Sequence, residues 1–363
     1  MSALKNNWLL LVVIFLGFCL RAFNLGSIPG QTFDEVFYPT YGLNYILGET
    51  FFSVHPPVGT YLISLSIYIY HLLPWTEPAL SAGINLLEIN PVSYRWLNVI
   101  SGTFIIYLAY KLCIELFDKK HLALLAAVFF ALDGSLLVDS RFGLINVYLS
   151  LFGLLSALFL LKYFKRKGNL TFLLIGCFML GLTFSIKWNG LGFWLMSILF
   201  ALFILFLNKH LKKDLKEASL ITVNNFKTYF LCMLFLPFMG YLIFWIPDVF
   251  MNGTNVVDRH FQMFFYHTDY ADQKYHPYSS SWFTWPIMLR PIAYYFSSYE
   301  MLDVSGSAIK MYTAVHLFPN PALTFFSSIA VFIMSLNWLN SFSRFLSSNA
   351  YDSDFVATSF ILF

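Results

Sequence analysis

Runs of about twenty apolar residues, broken by short clusters of lysine, constrain this chain more than any other feature of it. A run of that kind satisfies its backbone N–H and C=O groups in a bilayer only by coiling into a helix that crosses it. Composition agrees: 58% of the residues are hydrophobic and 11% charged, against about 25% charged in a soluble domain. The pattern predicts an all-α polytopic membrane protein, one domain over residues 1–363, with spans near 8–23, 94–112, 121–138, 145–163, 170–186, 190–208, 228–246 and 316–339. The first run lacks a small-residue cleavage site and reads as a retained anchor. Cys19, Cys113, Cys177 and Cys232 all fall inside apolar runs, as small packing residues rather than a disulfide or metal framework.

Lysine sets the orientation. The linkers 111–120, 162–167 and 208–227 hold Lys111, Lys119, Lys120, Lys162, Lys165, Lys167, Lys209, Lys212, Lys213, Lys216 and Lys227, with Arg166. The positive-inside rule makes them cytoplasmic. The alternate linkers are then external, chiefly a first loop over 24–93 and a second over 247–312. With Lys5 also inside, residues 24–93 start and end on one face. The apolar run 58–73 therefore does not cross, and reads as a helix lying along the interface. The external linkers carry most of the acidic residues and histidines, so chemistry is expected on that face.

Four groups of residues there could carry it. Asp34 and Glu35 follow the first span closely, as a general base with an orienting partner, or merely as an N-cap and first-turn acid of a helix. His55 precedes two prolines that stiffen the chain, which would expose its ring to a phosphate, or it packs or caps. Arg95, Arg141 and Lys187 sit at the outer ends of spans, where a cation suits a lipid-anchored phosphate, with snorkelling as the alternative. Finally, His276, Trp285 and Arg290 lie in an aromatic stretch of the second loop, fit for a sugar phosphate or for an amphipathic interfacial segment. There is no nucleotide-phosphate loop, no zinc spacing and no nucleic-acid motif.

The segment FDEVFYPTYGLNYILGETFFSVHPPVGTYLI resembles the first external loop of the protein O-mannosyltransferases, with its Asp-Glu pair and later His-Pro-Pro element. Tyr94-Arg95, Asp133-Gly134, Ser140-Arg141, Lys187-Trp188-Asn189-Gly190 and the stretch HPYSSSWFTWPIMLRPIAYYF are similar to further family elements, in the family's order, over about residues 20–325. The resemblance implies a GT-C glycosyltransferase bundle with interfacial helices in the first external loop. It implies a polyprenyl- or dolichyl-phosphate-mannose donor, a Ser/Thr protein acceptor, and no nucleic acid. Asp34 would match the catalytic acid, Glu35 its neighbour, and Arg95 and Arg141 the functional arginines. Lys187, His55, His276, Trp285 and Arg290 are the remaining candidates for binding substrate or phosphate. No metal ligand set or further cofactor is indicated. Thr60 stands where the family often has Lys. The second loop is too short for the sugar-binding-like insertion of eukaryotic members, which favours a bacterial type in the plasma membrane over one in the endoplasmic reticulum. The chain stops in a new apolar run at Phe363, so C-terminal spans are expected to be missing.

These readings imply an inverting displacement in which Asp34 takes the acceptor proton and Arg141, with Arg290 or His55, meets the departing phosphate. The rivals are a GT-C transferase with another sugar or a lipid-glycan acceptor, a transporter, and an inactive assembly partner. Asn169 and Asn252 each begin a glycosylation sequon, the first assigned to the inner face.

Overall fold

The structure is a computed structural model that describes residues 8–76, 79–166, 168–210, 223–271, 279–302, 308–348 and 353–362. Helix α1 (Trp8–Ala22) leads to a 3-10 turn at Phe33–Val36, and α2 (Tyr38–Leu47) and α3 (Val58–His71) follow. Next come α4 (Val92–Phe117), α5 (Lys120–Leu132), the short α6 (Gly134–Asp139), α7 (Asn146–Lys165), α8 (Leu170–Phe184), α9 (Leu191–His210) and α10 (Val223–Phe244). The remainder is α11 (Ile246–Asn252), α12 (Val256–Ala271), a hairpin of β1 (Ile292–Leu302) and β2 (Ala308–Leu317), α13 (Pro321–Ser348) and α14 (Ser353–Leu362).

Among the described residues five helical segments are long and apolar enough to cross a membrane: Val92–Phe117, Asn146–Lys165, Trp188–Leu207, Phe226–Asn252 and Pro321–Ser348. Trp8–Ala22, Lys120–Leu132 and Leu170–Phe184 are apolar but shorter. The chain is an integral multi-pass membrane protein. Its lipid-facing surface is correspondingly apolar, with Phe15, Phe178, Leu231 and Phe332 exposed on four different helices.

Each expected span has its helix, and two differ in a way that shapes the site. The run 121–138 breaks at Asp133, whose backbone is extended and whose carboxylate accepts the Leu136 N–H at 2.8 Å, starting α6 as a separate turn. The run expected from 316 begins as a helix only at Pro321, because Ala308–Leu317 pairs with Ile292–Leu302 as an antiparallel ribbon. Among the described residues, the second long loop thus leads into a two-stranded hairpin. Its strands are rich in Tyr, Phe, Ile and Val, residues that fit a pleated surface.

The first loop folds as two short helices packed closely together. A Cβ on Gly42 of α2 would lie 3.0 Å from the Ser64 backbone nitrogen of α3, so only glycine permits that approach. The Ser66 hydroxyl donates to the Ser93 carbonyl at 2.7 Å, and the Trp96 indole donates to the Ser66 carbonyl at 3.0 Å. These bonds tie α3 to α4. Asn98 on α4 donates to the Leu144 carbonyl at 2.6 Å and accepts from the Tyr148 hydroxyl at 2.6 Å, tying α4 to α7. Loop and bundle are therefore locked at the end where α1 and α8 finish and α4 and α7 begin. The Lys119, Lys162 and Lys209 end of the bundle is the opposite one.

Candidate active site

Glu35 and Arg95 form the rigid floor of this end, and both are fully buried. The Arg95 Nε donates to Glu35 Oε1 at 2.9 Å and Nη2 to Oε2 at 2.7 Å. Nη1 donates to the Leu25 and Ile28 carbonyls at 3.1 and 3.0 Å, and Nη2 also to the Gly30 carbonyl at 2.9 Å. All five guanidinium N–H groups are thereby used. Glu35 is equally saturated, accepting the Thr32 N–H at 2.9 Å and the Gly143 N–H at 2.6 Å besides Arg95. The expected phosphate contact of Arg95 therefore finds no donor left for it. Glu35 likewise has no accessible oxygen with which to touch substrate. The pair instead pins the 24–37 segment to α4 and to the turn before α7.

Asp34 emerges from that anchored turn. The preceding residue, Phe33, has φ +54, a left-handed conformation costly for a bulky side chain. This turns the chain so that Glu35 points into the anchor while Asp34 stays only half buried. Burial raises the Asp34 carboxyl above the ordinary aspartate range, and the nearby Lys187 ammonium partly opposes the rise. Lys187, at the turn between α8 and α9, donates to Asn146 Oδ1 at 2.8 Å and lies 6.0 Å from the Tyr38 ring centre. Its own pKa is lowered by burial, and the charges of Asp34 and Asp139 work against that. Asp34 and Lys187, from the first loop and from the turn between α8 and α9, thus lie close enough for each charge to favour the other.

His55 packs between Tyr38 (centroids 6.1 Å apart) and His267 (5.6 Å). Burial, with Lys187 and His267 nearby, lowers its pKa to about 3. The imidazole is neutral at physiological pH, so it offers a phosphate no positive charge. Arg141 caps the end of α1, with Nη1 donating to the Leu20 and Arg21 carbonyls at 2.8 and 3.0 Å. Its Nε and Nη2 have no hydrogen-bond partner among the described residues. Trp285 donates to Ser280 Oγ at 3.1 Å and Arg290 to the Ser279 carbonyl at 2.7 Å; both are exposed on the segment before β1. His276 lies outside the described residues. The Asn252 amide donates to Asp248 at 2.9 Å and accepts the Phe51 N–H at 2.8 Å, so that sequon asparagine is engaged at both atoms. Asn169 caps α8.

Three participants escaped the sequence reading. Asp139 ends α6 and accepts the Tyr294 hydroxyl at 2.6 Å. Tyr294 stacks on Phe33 at 4.4 Å. Arg21, buried in the last turn of α1, donates to the Phe130 and Ala131 carbonyls at 3.2 and 3.3 Å, closing α1 against α5. Its position at the outer end of a span was the available signal, the same that singled out Arg141.

Beside Asp139 opens a cavity of about 520 Å³, walled by Asp133, Ser135, Phe130, Leu154 and Phe193 among others. A second cavity of about 670 Å³ shares Phe130, Leu154 and Phe193 and continues along the apolar faces of α4 and α9 to Phe117. Together they line the second half of α4, from Ile105 to Phe117, with mostly apolar walls and with carboxylates only at the Asp133 and Asp139 end.

Residues 11–249 match the family described as dolichyl-phosphate-mannose-protein mannosyltransferase. The chain belongs to the protein O-mannosyltransferase family. Residues 253–361 match the C-terminal four-span region of protein O-mannosyltransferases. Among curated relatives, protein O-mannosyl-transferase 2 of Drosophila melanogaster is 28% identical over 252 residues, which is 66% of this chain and 32% of that protein. Dolichyl-phosphate-mannose–protein mannosyltransferase 1 of Schizosaccharomyces pombe is 28% identical over 64% of this chain and 27% of its own length. The chain thus spans about a third or less of the length of these family members. Its fold is similar to the Saccharomyces cerevisiae protein O-mannosyltransferase Pmt1-Pmt2 complex bound to the sugar donor, with TM-score 0.56 and 22% identity over 69% of this chain and 35% of that one. It is also similar to the Archaeoglobus fulgidus oligosaccharyltransferase in the apo form, with TM-score 0.58 and 14% identity over 100% of this chain and 50% of that one. These likenesses show a GT-C fold.

Proposed function

We propose that this protein transfers mannose from a polyprenyl-phosphate-linked donor to Ser or Thr hydroxyls of proteins, on the external face of the membrane. The observation that carries the reading is the half-buried Asp34, made more basic by its surroundings, beside the Lys187 ammonium near the polar end of an apolar groove. Membership in a mannosyltransferase family supports the choice of sugar and acceptor.

In this mechanism the donor's isoprenoid chain lies in the groove and its phosphate at the Lys187 end. Asp34 accepts the proton of the acceptor hydroxyl as that oxygen attacks the anomeric carbon. The carbon–oxygen bond to phosphate breaks, its electron pair passes to the phosphate, and the configuration inverts from a β-linked donor to an α-mannoside. The phosphate gains one negative charge in the step. Lys187, with Arg141 through its free Nε and Nη2, meets that charge in a site of low polarity, where a fixed cation acts strongly. Glu35 and Arg95 touch no substrate; they hold Asp34 in place. His55, being neutral, packs or donates one hydrogen bond.

The likeness to an oligosaccharyltransferase, which covers the whole chain, favours a second reading: the same chemistry with another lipid-linked sugar. Membranes containing the chain, given radiolabelled polyprenyl-phosphate-mannose and a Ser/Thr-rich peptide, are expected to place α-linked mannose in the peptide. Transfer only of a different lipid-linked sugar would favour the second reading, and no transfer of any kind would overturn both.

A further inference from the structure

The hairpin reaches Asp139 through Tyr294. Tyr294 is 6% exposed on a strand that is otherwise largely open to solvent. The pairing explains why. Ala293 faces His316 and Tyr295 faces Val315, so Tyr294 is the extra residue of a β-bulge. Bulges re-aim a side chain, and this one turns Tyr294 out of the ribbon's alternation toward the bundle. There its ring lies flat on Phe33, with planes 6° apart, and edge-on to Phe142 at 6.1 Å. Its hydroxyl donates to Asp139 Oδ1 at 2.6 Å.

Asp139 is the first link of a polar chain. The Asn146 side chain lies beside it and favours its ionised form. Asn146 Oδ1 in turn accepts from Lys187 Nζ at 2.8 Å. Lys187 keeps two donors without a partner among the described residues. Burial raises the Asp139 carboxyl, and the bond from Tyr294 and the nearness of Asn146 favour its ionised form, which in turn favours the ammonium of Lys187. Every member is a side chain on a different support: the hairpin, α6, the start of α7, and the turn before α9.

We propose that Tyr294 is a positioning residue for the transfer, by which the hairpin fixes Asp139 and, through Asn146, the Lys187 ammonium where the donor phosphate departs. The proposal rests on the mannosyl-transfer reading above. The phosphate carries more charge as it leaves than when bound, so a misplaced Lys187 slows turnover more than it weakens donor binding.

Tyr294→Phe keeps the ring and its stacking and deletes only the hydroxyl. With the full chain in nanodiscs, polyprenyl-phosphate-mannose and a Ser/Thr peptide, it is expected to lower kcat about tenfold or more, with KM for the donor within about threefold. Polyprenyl phosphate, the leaving product, should bind more weakly by a similar factor, while neutral polyprenol binds as before. Added to Lys187→Met, the substitution should cost nothing further, because both remove one interaction. An unchanged kcat, or losses that multiply in the double variant, would overturn the proposal. If the wild-type chain transfers no mannose, the function reading fails on its own. The clamp is then judged by binding alone: equal affinity of wild type and Tyr294→Phe for polyprenyl phosphate overturns it, and a selective loss upholds it.

Discussion

Glu35→Gln looks conservative and is expected to be among the most damaging single changes in the first loop. The Glu35 carboxylate accepts four hydrogen bonds, two at each oxygen: Arg95 Nε and Gly143 N at Oε1, Arg95 Nη2 and Thr32 N at Oε2. A glutamine presents one oxygen and one NH2 group. Whichever way the amide turns, two buried donors face a donor. The charge opposite a fully buried guanidinium is lost as well. Removing one partner of a buried pair costs about 3–5 kcal/mol. Because the amide still satisfies two of the four donors, the lower end, about 3 kcal/mol, applies here. That corresponds to roughly a hundredfold increase in the fraction of molecules with the segment 24–37 detached from α4. Hydrogen exchange of peptides covering that segment, in nanodiscs, reads the opening directly. Exchange within about twofold of wild type would refute the assignment of Glu35 and Arg95 as the anchor. Truncating both partners to alanine should not rescue it, since the Thr32 and Gly143 N–H groups and the Leu25 and Ile28 carbonyls would then lose their partners.

Three further predictions concern Asp34, Lys187 and Gly134. Asp34 works as a base only when ionised, and burial raises its pKa, so transfer should fall on acidification with a midpoint above the aspartate value of about 3.9. Lys187 lowers the Asp34 pKa, so in Lys187→Met any residual activity should show that acid limb at higher pH; a limb that stays put or moves down contradicts the pairing. At Gly134 an added Cβ would lie 2.1 Å from the Phe318 carbonyl oxygen, which is backbone and does not yield easily. Gly134→Ala should therefore push the end of the hairpin off α6, at a cost of about 1–3 kcal/mol seen as a lower thermal midpoint, and unchanged stability would count against the close approach.

Hydropathy and lysine placement made the bundle legible from sequence, because a bilayer leaves a twenty-residue apolar run few alternatives. The run 58–73 folds as α3, which packs on α2. What sequence did not show was pairing. Arg95 reads as a free cation at membrane depth until Glu35 is seen 2.7 Å away, sixty residues distant in the chain. The acid next to it, Asp34, differs only in which way its backbone turns, and the turn depends on a left-handed Phe33 that no composition rule anticipates. Asp139 has no signal of its own in the sequence, because its partner Tyr294 comes from the second loop, 155 residues away. The hairpin did leave a signal, the Tyr- and Phe-rich stretch 292–302, whose residues favour a strand.

The central claim is that Asp34 takes the acceptor proton. Asp34→Asn keeps the size of the side chain and removes its basicity, and none of the Glu35–Arg95 bonds passes through it. In matched nanodiscs, transfer of labelled mannose from polyprenyl-phosphate-mannose to a Ser/Thr peptide should drop by at least about a hundredfold, with the exchange of segment 24–37 unchanged. Transfer within a few-fold of wild type in a correctly folded Asp34→Asn protein would contradict the account.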